Sequence, residues 1–187
     1  MEKIVFLDRD GVINKDGYGW TKDNYITRWE DFYFLPKVLE ALKKLKEEHF
    51  TCIIISNQQC IAKGLMTIEE LSFITNKMIE KIKESGGDIA KVFYCPHSKS
   101  ANCLCKKPKP GLFFDAQKNL GIKNLEEKFY IGDMDRDIEA GKNAGLKTIL
   151  VLSGKTKRGD VAKWTYKPDF ECENLLDASN IVIKNSR

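Results

Sequence analysis

The stretch Ile4-Val5-Phe6-Leu7-Asp8-Arg9-Asp10-Gly11-Val12-Ile13-Asn14 decides the fold. Its apolar opening predicts a strand over 3–7, and that strand runs straight into acidic residues. The same arrangement recurs downstream. A strand expected over 51–55 ends at Ser56-Asn57-Gln58, and one over 129–131 ends at Gly132-Asp133. Short strands are also expected over 91–94, 147–152 and 169–171. Between them lie amphipathic runs. Val38, Leu39, Leu42 and Leu45 give a helix over 36–48, with Pro36 in its first turn. Thr67 and Glu70 form a capping-box signature that opens a helix carrying Leu71, Ile74, Met78 and Ile82 to a stop at Gly86-Gly87. Further helices are expected over 110–120, closed by Gly121, and over 135–144, closed by Gly145, with a last segment near 175–183. This rhythm predicts an α/β fold: a Rossmann-like parallel sheet with helices on both faces.

Length and composition agree. The 187 residues carry 31 Lys+Arg against 27 Asp+Glu and are 42% hydrophobic, which suits one globular domain over 1–187 with a core that needs no disulfide staples. Apolar runs such as Cys52-Ile53-Ile54-Ile55 fall far short of the roughly 20 residues of a membrane span. The N-terminus enters a strand at once, without a cleavable leader, so a cytoplasmic setting and no membrane partner are expected. A formal charge of +4 is too small to argue for nucleic acid and is compatible with an anionic ligand. Of six cysteines, Cys95, Cys103 and Cys105 cluster, which in a cytosolic chain suggests metal before disulfide.

In open α/β sheets ligands sit beyond the carboxyl ends of the strands, so the three polar clusters are expected to converge on one crevice. Asp8 and Asp10, at i and i+2, face the same side of an extended segment. Alone they read equally well as loop and capping residues. With Asp133 from another strand end they make an oxygen-ligand set suited to Mg²⁺. Ser56 and Asn57 add donors for an anion, and Lys106, Lys107 and Lys109 sit in a proline-stiffened loop, a motif that is weak alone. The pattern C-x-H-x5-C-x-C, formed by Cys95, His97, Cys103 and Cys105, supplies a full tetrahedral set for a structural Zn²⁺ in a loop at about 95–105.

The order of these pieces resembles the haloacid dehalogenase-like phosphohydrolases. Asp8-x-Asp10-x-Val12 is similar to their first motif, Ser56 to the second, Lys107 to the third, and Gly132-Asp133-x-x-x-Asp137 to the fourth. A narrower resemblance is to the zinc-containing branch that holds heptose bisphosphate and histidinol-phosphate phosphatases. It rests on Ser56-Asn57-Gln58 with Ile61-Ala62-Lys63-Gly64, on the cysteine loop, and on Lys106-Lys107-Pro108-Lys109-Pro110-Gly111. It extends to Asn174-Leu175-Leu176-Asp177-Ala178.

The resemblance implies Asp8 as nucleophile and Asp10 as general acid and then base. It implies catalytic Mg²⁺ on Asp8, Asp10 (through its backbone carbonyl) and Asp133, with Asp137 in support. Ser56 and Lys107 would contact the transferring phosphoryl group. Asp16, Tyr18, Asn57, Gln58 and Lys106 complete the implied substrate contacts. A small phosphorylated substrate, a minimal cap, a monomer and no nucleic acid are expected.

Other features are weaker. Ser153-Gly154-Lys155-Thr156 looks like the tail of a Walker A loop, but Ile149 stands where that pattern needs Gly. His49 reads as a surface or helix-capping residue. Trp20, Tyr25 and Trp29, in the long 15–31 connection, either line a pocket or pack. The branch pattern is broken at Gln59-Cys60, where relatives carry Ser-Gly, by a missing histidine after Asp16, and at Met134, where some relatives carry a substrate-contacting Lys. The segment 19–30 also looks longer than usual. Three functional classes follow: a Mg²⁺-dependent phosphomonoesterase for a heptose bisphosphate, the same chemistry on histidinol phosphate, and a zinc-stabilised nucleic-acid-binding module.

Overall fold

The computed structural model describes residues 2–186. Among them, β1 (Ile4–Leu7), β2 (Thr51–Asn57), β3 (Lys91–Cys95), β4 (Phe129–Gly132), β5 (Lys147–Val151) and β6 (Phe170–Cys172) form one parallel sheet in the order β3-β2-β1-β4-β5-β6. Helices α1 (Val38–Glu47), α2 (Ile68–Glu84), α3 (Gly111–Leu120), α4 (Asp135–Asn143) and α5 (Leu175–Asn185) cover it. The predicted Rossmann-like architecture is present.

Strand alternation explains the two layers. Val5 and Leu7 of β1, Ile54 of β2 and Ile131 of β4 face one way, into a core shared with α1, α2 and α5. Ile4 and Phe6, Ile53 and Ile55, and Tyr130 face the other way, against Leu112, Phe113 and Ala116 of α3 and Ala140 of α4. Because both faces are buried, the strands read as continuous apolar runs rather than alternating ones.

Local signals act as expected. Thr67 Oγ1 accepts from the Glu70 amide at 3.1 Å while Glu70 Oε2 accepts from the Thr67 amide at 2.7 Å, so the capping box opens α2. Pro36 is a correction. It lies outside α1, because the N-cap Lys37 takes a left-handed φ of 65° that no helix can pass through. His49 follows α1 with φ 62°, in a helix-terminating role. Strand β2 runs on to Asn57, which carries Ser56 and Asn57 to the rim of the sheet.

The 15–31 connection is anchored by aromatic packing. Trp29 stacks on Phe32 with ring centres 5.1 Å apart, and Phe32 meets Phe34 edge-on at 5.2 Å. Buried Ile26 and Phe32 tie it to the core, leaving 16–18 and 23–25 free to line a cavity. No helix of the described residues is long and apolar enough to cross a membrane.

Candidate active site

The chain leaves β1 toward α1 on one face and leaves the adjacent β4 toward α4 on the other. This reversal opens a crevice at the carboxyl ends of the two strands. The Asp8 amide donates to Ile131 O at 2.9 Å and extends the β1–β4 ladder by one residue, so Asp8 and Asp133 emerge side by side. Asp137 enters from the first turn of α4, where its Oδ2 accepts from the Met134 amide at 3.1 Å. Carboxylate oxygens of Asp8, Asp133 and Asp137 all lie within 4.8 Å of one another, and all three residues are buried. Small residues make room for them. A Cβ on Gly11, whose φ is 87°, or on Gly154 would strike the Asp133 carboxylate.

One ammonium serves this cluster. Lys107, 3% exposed, lies 2.9 Å from Asp8 Oδ1 and 2.8 Å from Asp137 Oδ1, and donates to Ile55 O and the Tyr130 hydroxyl at 3.1 and 2.7 Å. Burial pushes the Asp8 carboxyl up to about 6, against the pull of Lys107. Burial and the repulsion of Asp137 and Asp8 drive Asp133 far above the usual carboxylate range. At Asp137 burial is outweighed by Lys107 and Arg136, and its pKa falls. Three close carboxyl groups share one lysine within ion-pair distance, and this oxygen-only donor set fits a hard divalent cation.

Asp10 is a correction. Its carboxylate stands apart from this cluster, in which Asp137 joins Asp8 and Asp133 instead; the Mg²⁺ contact expected of Asp10 is through its backbone carbonyl and does not depend on this carboxylate. Same-side projection at i and i+2 requires extended backbone, but β1 ends at Leu7 and the chain turns at once, with Arg9 O accepting amides from Val12, Ile13 and Asn14. Asp10 instead meets Arg9, buried to 1% exposure, through Nη2 at 2.9 and 3.0 Å, with Asn14 Nδ2 at 2.9 Å and Gln58 Nε2 at 2.8 Å. Burial would raise its pKa, but Arg9 prevails and lowers it.

The other expected contacts take more specific positions. Ser56 Oγ accepts from Gln58 Nε2 at 3.1 Å, and Gln58 holds both Arg9 and Asp10. Asn57 clamps the lysine loop: its Nδ2 donates to Lys107 O and its Oδ1 accepts from the Lys107 amide, both at 3.1 Å. Lys106 Nζ donates to His97 O at 3.1 Å. Asp16 Oδ1 caps the Tyr18 amide at 2.7 Å and pairs with Lys155 Nζ at 3.1 Å, while Tyr18 is 69% exposed.

Asp8, Asp10, Asp16, Tyr18, Ser56, Asn57, Gln58, Lys106 and Lys107 all line a cavity of about 720 Å³. Tyr25 lines it too, whereas Trp20 and Trp29 pack against the core. Arg9, Arg136 and Lys155 escaped sequence reasoning. Lys155 comes from the segment rejected as a Walker A tail. That segment instead closes over Asp133, whose Oδ2 accepts the Lys155 amide at 3.0 Å. Its position after a strand was the available signal.

Beside the lysine loop, Cys95, His97, Cys103 and Cys105 bring their ligand atoms together. Sγ of Cys105 lies 3.2 Å from that of Cys95 and 3.4 Å from that of Cys103, Cys95 and Cys103 are 3.6 Å apart, and His97 Nδ1 lies 3.7 Å from Cys95 Sγ. A tetrahedral ion with metal–sulfur bonds of about 2.3 Å has edges of about 3.8 Å, so the set fits zinc. Cys52 and Cys60 are buried, and burial pushes the Cys52 thiol up to about 12.

Sheet order, strand-end carboxylates and lysine together describe a hydrolase of the haloacid dehalogenase-like class. A family model described as HAD-hydrolase-like matches residues 104–178. The chain is 37% identical over 160 residues to D-glycero-alpha-D-manno-heptose-1,7-bisphosphate 7-phosphatase of Photorhabdus laumondii, covering 81% of this chain and 84% of that one. It is 38% identical over 176 residues to D-glycero-beta-D-manno-heptose-1,7-bisphosphate 7-phosphatase of Helicobacter pylori strain J99, covering 94% of each. The crystal structure of D,D-heptose 1,7-bisphosphate phosphatase from B. bronchiseptica, complexed with magnesium and phosphate, superimposes with a TM-score of 0.88 at 30% identity, over 97% of this chain and 98% of that one. The chain belongs to the heptose-bisphosphate phosphatase family of HAD-like hydrolases.

Proposed function

We propose that this enzyme is a Mg²⁺-dependent phosphomonoesterase that removes the C7 phosphate of a D-glycero-D-manno-heptose 1,7-bisphosphate. The observation that carries the reading is the Asp8–Lys107–Asp133–Asp137 cluster, whose Asp8 and Lys107 line a cavity rich in cations. The heptose substrate named for its relatives supports the substrate class, and membership in a phosphatase family favours catalysis over a nucleic-acid-binding module.

Asp8, Asp133 and the backbone carbonyl of Asp10 would hold a magnesium ion, with Asp137 in support through Lys107 and the Met134 amide, and the ion when bound would draw phosphoryl oxygens toward the carboxylates that otherwise repel them. Asp8 attacks phosphorus, the bond to the sugar oxygen breaks, and an aspartyl-phosphate forms. Lys107, fixed by four acceptors, offsets charge on the transferring group with no reorganisation. Ser56 donates to the same group. Asp10 gives its proton to the leaving sugar oxygen, and as carboxylate takes one from the water that cleaves the acyl phosphate, so the proton returns each cycle. The Arg9, Asn14 and Gln58 donors favour the ionised form used in that second step. Asp16, Tyr18, Lys106 and the Gln58 rim contact the sugar side.

Cys95, His97, Cys103 and Cys105 hold a structural zinc in this reading, directly ahead of Lys106 and Lys107. Residues 1–187 act as one monomeric, cytoplasmic domain. A turnover panel of heptose 1,7-bisphosphate, histidinol phosphate and a 3′-phosphorylated oligonucleotide, each with and without Mg²⁺, tests the assignment. Magnesium-dependent turnover that favours the heptose is expected. Preference for either other substrate contradicts it.

A further inference from the structure

We infer that Tyr130 is a positioning residue for Lys107: its buried hydroxyl ties the ammonium to Asp137 and keeps the lysine nitrogen in place while the group on Asp8 changes. This inference rests on the phosphatase reading above. Tyr130 lies on β4 and is fully buried. Strand alternation turns it toward the layer of α3 and α4, where its ring meets Phe113 edge-on at 4.9 Å and Phe113 meets Phe6 at 5.4 Å. Those apolar contacts account for a ring. They do not account for a hydroxyl, which in such a layer costs free energy unless it finds a partner. Its two partners here are both charged. The oxygen accepts from Lys107 Nζ at 2.7 Å, the shortest contact of that ammonium, and its own hydrogen goes to Asp137 Oδ1 at 3.2 Å.

An ammonium has three N–H donors, yet four acceptors stand within 3.1 Å of Lys107 Nζ. Asp8 and Asp137 draw it by charge. Ile55 O and the Tyr130 hydroxyl are neutral, and they come from β2 and β4, the two strands that flank β1 and its Asp8. When Asp8 takes the phosphoryl group, its carboxylate charge is spent on the new bond, and one lysine N–H has to follow the phosphoryl oxygens. The two neutral acceptors do not change in that step, so they define where the nitrogen stays. Of the two, the hydroxyl alone also donates, and its bond to Asp137 draws that carboxylate to the same point. A phenylalanine would fill the same space against Phe113 and leave the position of Lys107 to the carboxylates.

The test is steady-state turnover of heptose 1,7-bisphosphate with Mg²⁺ by wild type, Tyr130→Phe and Tyr130→Leu, with two further measurements on each: the melting temperature, and inhibition by orthovanadate, which takes the five-coordinate shape of a transferring phosphoryl group. If the hydroxyl positions Lys107, both variants lose kcat by the same factor, about 10- to 100-fold, while KM stays within about twofold. The orthovanadate inhibition constant should rise in step with the loss of kcat. Melting temperature should separate the variants, falling further in Tyr130→Leu, which also gives up the ring contact. A wild-type kcat in Tyr130→Phe overturns the inference, and so does a loss carried by KM or one confined to Tyr130→Leu. A Tyr130→Phe chain that does not fold overturns it as well, since the hydroxyl would then serve stability. Each of these results leaves the phosphatase reading intact, whereas a wild type that turns over no sugar phosphate overturns both.

Discussion

The cysteine–histidine cluster is gathered from one loop, 95–105, whereas the carboxylate cluster is gathered from the ends of β1 and β4 and the first turn of α4. The first is a closed set of four soft donors. The second borders a cavity through Asp8 and Lys107 and sets three carboxyl groups around one lysine within ion-pair distance. They meet at Lys106 and Lys107, which directly follow Cys105 and are pinned from the other side by Asn57. The local cluster supplies rigidity and the convergent one supplies reactivity, and the lysine loop couples them.

The strongest way to break the convergent half is Asp8→Asn. It keeps the shape and the hydrogen bond from the Arg9 amide but removes the nucleophile, so phosphate release should fall by on the order of 10³-fold or more with an unchanged circular dichroism spectrum. The local half is broken by Cys103→Ser. We expect loss of about one bound zinc per chain by elemental analysis, together with a lower melting temperature. Zinc retained at wild-type stoichiometry would remove Cys103 from the set.

The coupling is tested by Asn57→Ala. Two hydrogen bonds to the Lys107 backbone vanish while every proposed metal ligand stays, so kcat should drop by roughly 10²-fold for a displacement of about 1 Å, with zinc content unchanged. An Asn57→Ala enzyme with normal kcat would show that the lysine loop is held by the cysteine cluster alone.

How much of this was legible follows the same division. The cysteine loop could be read directly because its four ligands, Cys95, His97, Cys103 and Cys105, lie close together in the chain. The sheet could be read because runs such as Cys52-Ile53-Ile54-Ile55 are buried on both faces. Asp8 and Asp133 could be read because they follow strands. The direction of the Asp10 carboxylate could not be read, because the turn after Leu7 is set by backbone hydrogen bonds to Arg9 O that no side-chain period announces. Arg9, Arg136 and Lys155 were illegible for a related reason: charged residues look like surface until packing shows which are enclosed. Asn57 and Gln58 look like ligand contacts in sequence, yet in the fold they hold Lys107 and Asp10.

The smallest effect is one of pH. The Asp8 carboxyl, raised by burial to about 6, contributes stability that is complete below its ordinary value of 3.8 and is lost as pH rises through 6; Asp133 shifts in the same direction. Metal-free protein should therefore gain more from added Mg²⁺ at a pH of about 7.5 than at about 5, by a few degrees in Tm, because protons compete for the same oxygens. Equal gains at both values would mean that the raised carboxyls are not the cation site.

The central claim is that Asp8 carries the phosphoryl group, and acid quenching during turnover of heptose 1,7-bisphosphate followed by mass spectrometry of the peptides tests it most directly. The account predicts a phosphoryl adduct on the peptide that contains Asp8, absent in Asp8→Asn and absent without Mg²⁺. Full turnover with no adduct on that peptide, or an adduct on another residue, would contradict it.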